Sequence, residues 1–427
     1  MMMLRQLSGT TATRILTTAL GFATVIVATR YLGAHEYGNI SLFVLSISLI
    51  QLLAGVAGGP ALVYLAPRMP VSRLFSGSLI WSVGIHCVVG AVLLVTPWFD
   101  TKWLMHLLIL SFVFYLNTFA YTTLLGKQSI REFNFIQILQ AILLLGSLLA
   151  QVVISNEHSF ILYIRSLYLA WGSATLYGWI KLSPHLEMRQ WKIDRKQLGE
   201  MIRHGGFLQI ANGLQLLNYR LSYFLIDVFL GRSLLGIFTA GAQLSEGLWI
   251  FGKSFAIVQY STISNTTDQA FARKLSIQLM QLTFFITLAG LIVLLIIPQG
   301  MYEFVFGEGF GSVKTVIVFM SVGILSLSVS QILSHFFSGT GRQKFNAIGS
   351  GVGLIATLAC GFSLIPTMGL TGAGLTASAA YTASAIYQLW VFMRITHTRA
   401  VDLAPQKQDI IRIADLLQKI ARPDKSS

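Results

Sequence analysis

RYLGAHEYGNI, Arg30 to Ile40, is a polar interruption between two oily blocks: residues 15–29 before it and 41–66 after it carry no Asp, Glu, Lys or Arg. A helix needs about 20 consecutive apolar residues to cross a hydrocarbon core of about 30 Å. The two blocks, extended by the apolar residues at their edges, reach that length, and the stretch between them reads as a turn. Gly33 and Gly38 allow the chain to reverse within a few residues, and Tyr31 and Tyr37 suit the membrane interface as aromatic anchors. A sharper reading makes Arg30, His35 and Glu36 a polar rim at the outer mouth of a transport path.

The rest of the chain repeats the pattern. Of its 427 residues 54% are hydrophobic and 11% are charged, with a mean hydropathy of +0.69, whereas a soluble domain is about 25% charged. An integral membrane protein follows. Apolar blocks place twelve spans at about 12–33, 37–65, 75–98, 103–125, 133–154, 160–181, 206–230, 234–262, 275–297, 313–338, 345–366 and 370–394. Glycines within the second and eleventh spans, Gly55, Gly58, Gly59, Gly349, Gly351 and Gly353, imply kinked and closely packed helices.

Charge sets the orientation. The N-terminus, the even-numbered loops and the tail hold 23 of the 30 Lys and Arg, so both termini are expected in the cytoplasm. The net charge of +14 is then mostly orientation signal, which argues against nucleic acid as a partner. The opening MMMLRQ precedes no small-residue cleavage site, so the first helix reads as a retained span. Cys87 and Cys360 fall in spans and read as packing residues, not as a disulfide framework or metal ligands.

Internal repetition is the next signal. YLGAHEYGNISLF, Tyr31–Phe43, aligns with FLGRSLLGIFTAG, Phe229–Gly241, at an offset of 198 that matches Leu32 with Leu230, Gly33 with Gly231 and Gly38 with Gly236. REFN, Arg131–Asn134, aligns with QKFN, Gln343–Asn346, at an offset of 212. Each pair occupies the same place in a six-helix half, which predicts parallel repeats about an axis along the membrane normal. The expected architecture is all-α: an N-terminal six-helix lobe over 1–181, a cytoplasmic linker over 182–205, a C-terminal lobe over 206–394 and a cytoplasmic tail over 395–427, the two lobes surrounding a central cavity. Two such bundles suit alternating access.

ATRYLGAHEYGNISLFVLSISLI, Ala28–Ile50, resembles the aliphatic-x-Arg-x-Leu-Gly-x-x-x-Tyr-Gly signature of the polysaccharide exporters and O-antigen repeat-unit flippases of the multidrug/oligosaccharidyl-lipid/polysaccharide exporter superfamily. The span count, the lobes and the late GLTGAGLTASAAY, Gly369–Tyr381, are similar to that family over essentially the whole chain. The resemblance implies a carrier, not an enzyme, that moves an undecaprenyl-diphosphate-linked oligosaccharide (an O-antigen, capsule or exopolysaccharide repeat unit of lipopolysaccharide or related polysaccharide biosynthesis) from the inner to the outer leaflet of the bacterial inner membrane. It further implies membrane lipids as surroundings, H⁺ or Na⁺ as coupling ion, a polysaccharide polymerase and a chain-length regulator as partners, and no cofactor. The lipid II flippases of the superfamily carry two further helices, for which this chain has no room. A cation-coupled multidrug or toxic-compound exporter of the same superfamily is the alternative.

Charge inside spans is costly, roughly 2.5–3.5 kcal/mol per residue on insertion scales, and therefore points to cavities or partners. Arg14, Arg165, Arg220 and Lys253 are the candidate substrate-binding cations, with Asp227 and Glu246 as candidate coupling carboxylates. Arg14 and Arg220 are the residues expected to hold the diphosphate, because a planar guanidinium binds two oxygens at once. A spacing of seven places Arg220 with Asp227, and Glu246 with Lys253, on shared helix faces. Equal depth in adjacent helices predicts an Arg220–Glu246 pair in which the diphosphate competes for the arginine and frees the carboxylate to take a proton. The bland readings are that Arg14 ends a helix cap, that Arg165 and Lys253 snorkel, and that His86 and His335 are packing residues rather than proton carriers. No phosphate-cradling Gly-rich loop with Lys and Ser/Thr and no His-Glu metal pair is present. IIRIADLLQKIA, Ile410–Ala421, and MRQWKIDRKQLGEMIRH, Met188–His204, read as interfacial amphipathic helices.

Overall fold

The computed structural model describes residues 2–59, 61–95, 101–155, 157–186 and 195–403. Among them the regular structure is helical throughout, in the order α1 (Met2–Ala54), α2 (Ala61–Leu65), α3 (Val71–Val95), α4 (Thr101–Gly126), α5 (Ile130–Ile154), α6 (Ile161–Leu182), α7 (Arg195–Leu230), α8 (Arg232–Gly247), α9 (Trp249–Ser264), α10 (Gln269–Ile296), α11 (Gln299–Phe306), α12 (Val313–Gly339) and α13 (Lys344–Thr396). By length and composition seven helices among the described residues can cross a membrane, or eight if α8 and α9 form one broken span. Two of the seven are double length and each breaks at a glycine: α1 at Gly33 (φ 82°) and α13 at Gly369 (φ 60°). Large apolar side chains lie on the outside, including Val95 at 86% and Ile154 at 84% exposure, as lipid contact demands and water would punish.

The chain groups into two compact units, one of Met1–Ala240 with Gln299–Val313, the other of Gly241–Pro298 with Lys314–Ser427. In the first unit the core is built on Leu62, Leu74, Phe119, Ile136 and Met201, with Phe75 edge-on to both Phe119 and Trp179. In the second it is built on Ala256, Ile332, Phe337 and Phe392.

Four sequence expectations change. The turn over Arg30–Ile40 is concentrated at Gly33, with helical residues on both sides, because a positive φ in a residue without Cβ redirects the chain in one step. Tyr37 is 3% exposed and packs in the core, so it is not the interfacial anchor expected of it, whereas Tyr31 is 45% exposed. The eighth span divides after Gly247, with a 49° bend between Arg232–Gly247 and Gly252–Ser264. The segment 298–312, expected to be a loop, contains α11; the helix expected over Met188–His204 is described from Arg195 onward, as the start of α7. Residues 187–194 and the tail segment Ile410–Ala421 lie outside the described residues.

Candidate functional site

The polar stretch that opens the sequence is tied down by backbone groups. Arg30 donates to the Phe304 carbonyl at 2.6 Å and lies over the Phe304 ring. Glu36 accepts from the Phe160 N–H at 3.0 Å, just ahead of α6, where a carboxylate satisfies a donor left open at a helix start. His158 contacts the Tyr31 carbonyl at 2.8 Å. Of the three residues proposed as a rim for sugar, Arg30 and Glu36 thus bracket α1 to α11 and to the start of α6, whereas His35 is exposed and contacts its neighbour Glu36 at 3.1 Å.

The two copies of the glycine motif meet each other inside the first unit. A Cβ built on Gly38 would fall 2.1 Å from the Arg232 carbonyl oxygen, and one on Gly236 would fall 2.0 Å from the Ala34 carbonyl oxygen. The offset of 198 that relates Gly38 to Gly236 also relates Ala34 to Arg232, so the two contacts are equivalents in a local pseudo-two-fold seam between α1 and α8. Gly33 and Gly231, matched by the same offset, both have positive φ, at 82° and 85°. Only glycine permits a backbone approach this close. In the other repeat pair the Asn134 amide donates to Thr10 and the Asn346 amide to Ser334 and Ser338, so the motif persists while its partners differ.

Beside the seam, Arg232 Nε lies 2.5 Å from Asp227 Oδ1, the side chains being 32% and 20% exposed. The same guanidinium donates to Asn39 Oδ1 at 3.1 Å. This pair lines one part of a cavity of about 340 Å³, within the usual size of a small-ligand site. Apart from Ser46, the remaining wall is apolar, formed by Leu42, Leu49 and Ile50 of α1, Leu93 of α3, Leu107 of α4 and Phe224 of α7 among others. The spacing argument had coupled Asp227 to Arg220. It missed Arg232, five residues on across the Gly231 turn, whose opposite charge was the available signal.

The other candidates fall as follows. Arg14 is exposed and has no hydrogen bond or ion pair from its side chain among the described residues; only its carbonyl is used, by Thr17 and Thr18. Arg220 donates to the Tyr223 hydroxyl at 2.7 Å, with its guanidinium 5.0 Å from that ring. Arg165 faces Glu157 at 3.5 Å, both side chains more than half exposed. In the second unit, the Tyr381 hydroxyl donates to Glu246 at 3.4 Å, the Tyr381 and Trp249 rings lie 6.2 Å apart, and Lys253 Nζ is 5.8 Å from the Trp249 ring. Glu246 and Lys253 do not lie on one continuous helix as expected, because α8 ends at Gly247 and α9 begins at Trp249. Arg220 belongs to the first unit and Glu246 to the second. His86 and His335 each contact a carbonyl one turn back, Ser82 and Gln331, as packing histidines do.

With this geometry in hand, the solved structures of other proteins identify the architecture. A structure described as an inward-facing multidrug resistance MATE family transporter of the MOP superfamily matches with a TM-score of 0.71 at 16% identity, over 89% of this chain and 95% of that one. The fold is that of the MOP-superfamily transporters. The lipid II flippase MurJ, in an inward closed conformation, matches with a TM-score of 0.74 at 12% identity, over 98% of this chain and 93% of that one. A MOP superfamily transporter from Pyrococcus furiosus, described as having a binding pocket of reversed polarity, matches with a TM-score of 0.64 at 16% identity, over 93% and 96% of the two chains. The sequence itself matches no family profile and no curated protein. A multi-pass membrane transporter is therefore the shared ground of these neighbours.

Proposed function

We propose that the chain is a flippase for an undecaprenyl-diphosphate-linked oligosaccharide in a bacterial inner membrane, with twelve spans in two six-helix lobes and both termini in the cytoplasm. The observation that carries this reading is Arg14: an exposed guanidinium in the apolar first helix, with no carboxylate beside it among the described residues. A cation placed at such cost favours an anion, and its planar fork suits a diphosphate. Arg220, held toward Tyr223, and Lys253, over Trp249, extend the basic set. Glu246, which accepts from Tyr381, and Asp227, paired with Arg232, are the proposed coupling carboxylates; Arg165, balanced by Glu157 in solvent-exposed positions, has the weakest role.

In the bacterium that encodes the chain, deleting its gene should leave lipid-linked oligosaccharide on the cytoplasmic leaflet and remove surface polysaccharide. Arg14→Lys should restore it in part and Arg14→Ala not at all, with folded protein at normal levels. Full restoration by Arg14→Ala would remove the diphosphate assignment. A second reading, export of cationic amphiphiles, is favoured by the likeness to a structure described as a multidrug resistance MATE family transporter. Unchanged surface polysaccharide together with new sensitivity to a cationic dye would select it.

A further inference from the structure

Asp227 and Arg232 are not required by the packing around them, and the repeat supplies the internal control. On the opposite side of the seam the equivalent positions are Thr29, Ala34 and, in place of Asn39, Ile237. None is charged: Thr29 turns its hydroxyl back to Val25 at 2.9 Å, and Ile237 is 7% exposed. The glycine approach is nevertheless the same on both sides, 2.1 and 2.0 Å. The seam thus closes without charge on one side, while on the other it carries a pair whose partial burial costs desolvation. That second side alone borders the cavity of about 340 Å³.

The cavity has the form of a chain-binding crevice. Leu42, Ser46, Leu49, Ile50 and Leu53 lie on one face of α1, and Leu42 to Leu53 covers about 16 Å at a rise of about 1.5 Å per residue. Two of its lining residues, Leu53 of α1 and Val228 of α7, are 45% and 66% exposed, so the crevice opens to the surface of helices apolar enough for a bilayer. Its polar end presents one cation and one anion side by side, both reachable from outside.

We propose that this crevice binds an ethanolamine phospholipid: one acyl chain in the apolar cavity, the phosphate on the Arg232 guanidinium and the ammonium on the Asp227 carboxylate. A purely anionic head group would have to sit against Asp227, and a purely cationic one against Arg232. A zwitterion matches both charges and displaces neither. Arg232 commits only some of its five N–H donors to Asp227 and Asn39, and a carboxylate accepts on two oxygens, so each retains capacity for a head group. A primary ammonium donates hydrogen bonds to a carboxylate, which a quaternary choline cannot, and this selects ethanolamine over choline. The bound phospholipid is distinct from the cargo of the proposed flippase, while the Asp227 that holds its ammonium is also one of the two proposed coupling carboxylates.

The test uses the full-length protein purified in detergent, with dilauroyl phosphatidylethanolamine, phosphatidylcholine or phosphatidylglycerol added, read by native mass spectrometry and by the thermal unfolding midpoint, since a ligand of the folded state raises that midpoint. One phosphatidylethanolamine should remain bound per chain, with phosphatidylcholine and phosphatidylglycerol retained at least fivefold less. Asp227→Asn should abolish the preference for ethanolamine over choline, and Arg232→Gln should lose both lipids. Ser46→Phe and Leu49→Phe, which fill the crevice and leave the pair intact, should lose all three lipids. Equal retention of the three by the wild type, undiminished phosphatidylethanolamine on both crevice-filled variants, or stronger stabilisation by dodecyltrimethylammonium than by phosphatidylethanolamine would each overturn the proposal.

Discussion

The two glycine turns, at Gly33 and at Gly231, share a backbone and differ in what their charges do. Around Gly33, Arg30 donates to the Phe304 carbonyl, and Glu36 accepts from the Phe160 N–H while also lying 3.1 Å from His35. Around Gly231 the charges face each other, Asp227 against Arg232, and both border a cavity. The glycines are therefore the architectural element common to both copies, whereas charge serves as a bracket in one and stands beside an open crevice in the other.

That comparison can be broken in steps. The largest effect belongs to the shared element: Gly38→Ala and Gly236→Ala each drive a Cβ into a carbonyl oxygen near 2 Å, an overpacking that costs about 2–3 kcal/mol. The two variants should lower the thermal midpoint by similar amounts, since the contacts are equivalent; a large loss for one alone would end the symmetry. Next comes Asp227→Asn, which leaves a partly buried guanidinium without its anion and should cost about 1–2 kcal/mol, between the exposed and fully buried cases. A double-mutant cycle with Arg232→Gln isolates the coupling. Glu36→Ala should cost about 1 kcal/mol as a lost helix-start acceptor, with a matched loss of hydrogen-exchange protection at the start of α6. Arg165→Gln should change stability by less than about 0.5 kcal/mol, because the pair it breaks is exposed on both sides.

Much of this was legible in the sequence for physical reasons. Hydropathy reports burial in lipid residue by residue, so the apolar blocks around Arg30–Ile40 reveal membrane helices without knowledge of the fold. Glycine at 33, 38, 231 and 236 marks backbone geometry that no other residue tolerates, so the repeat and the seam left a readable trace. What failed was inference at a distance. Placing Glu246 and Lys253 on one face assumed a helix continuous through Leu248, and the break there follows only Gly247, with no proline to announce it. α11 is eight residues long, too short for its periodicity to separate from a loop. The polar start of α7 at Arg195 reads as a separate amphipathic helix of the linker, whereas it continues unbroken into the apolar segment. Arg232 was counted with the loop charges, and its place in a pair with Asp227 depends on how the Gly231 turn folds back.

Transport of a diphosphate-linked glycolipid across a bilayer is the activity proposed for this chain. Its most direct test is reconstitution of the purified protein into vesicles holding a polyprenyl-diphosphate oligosaccharide on one leaflet, with access of the sugar to an external glycosidase followed over time. Transfer by the wild type, at least tenfold slower with Arg14→Ala and partly recovered with Arg14→Lys, is the predicted result. Sugar that stays inaccessible with wild-type protein, in vesicles that expel a cationic amphiphile, would contradict the claim.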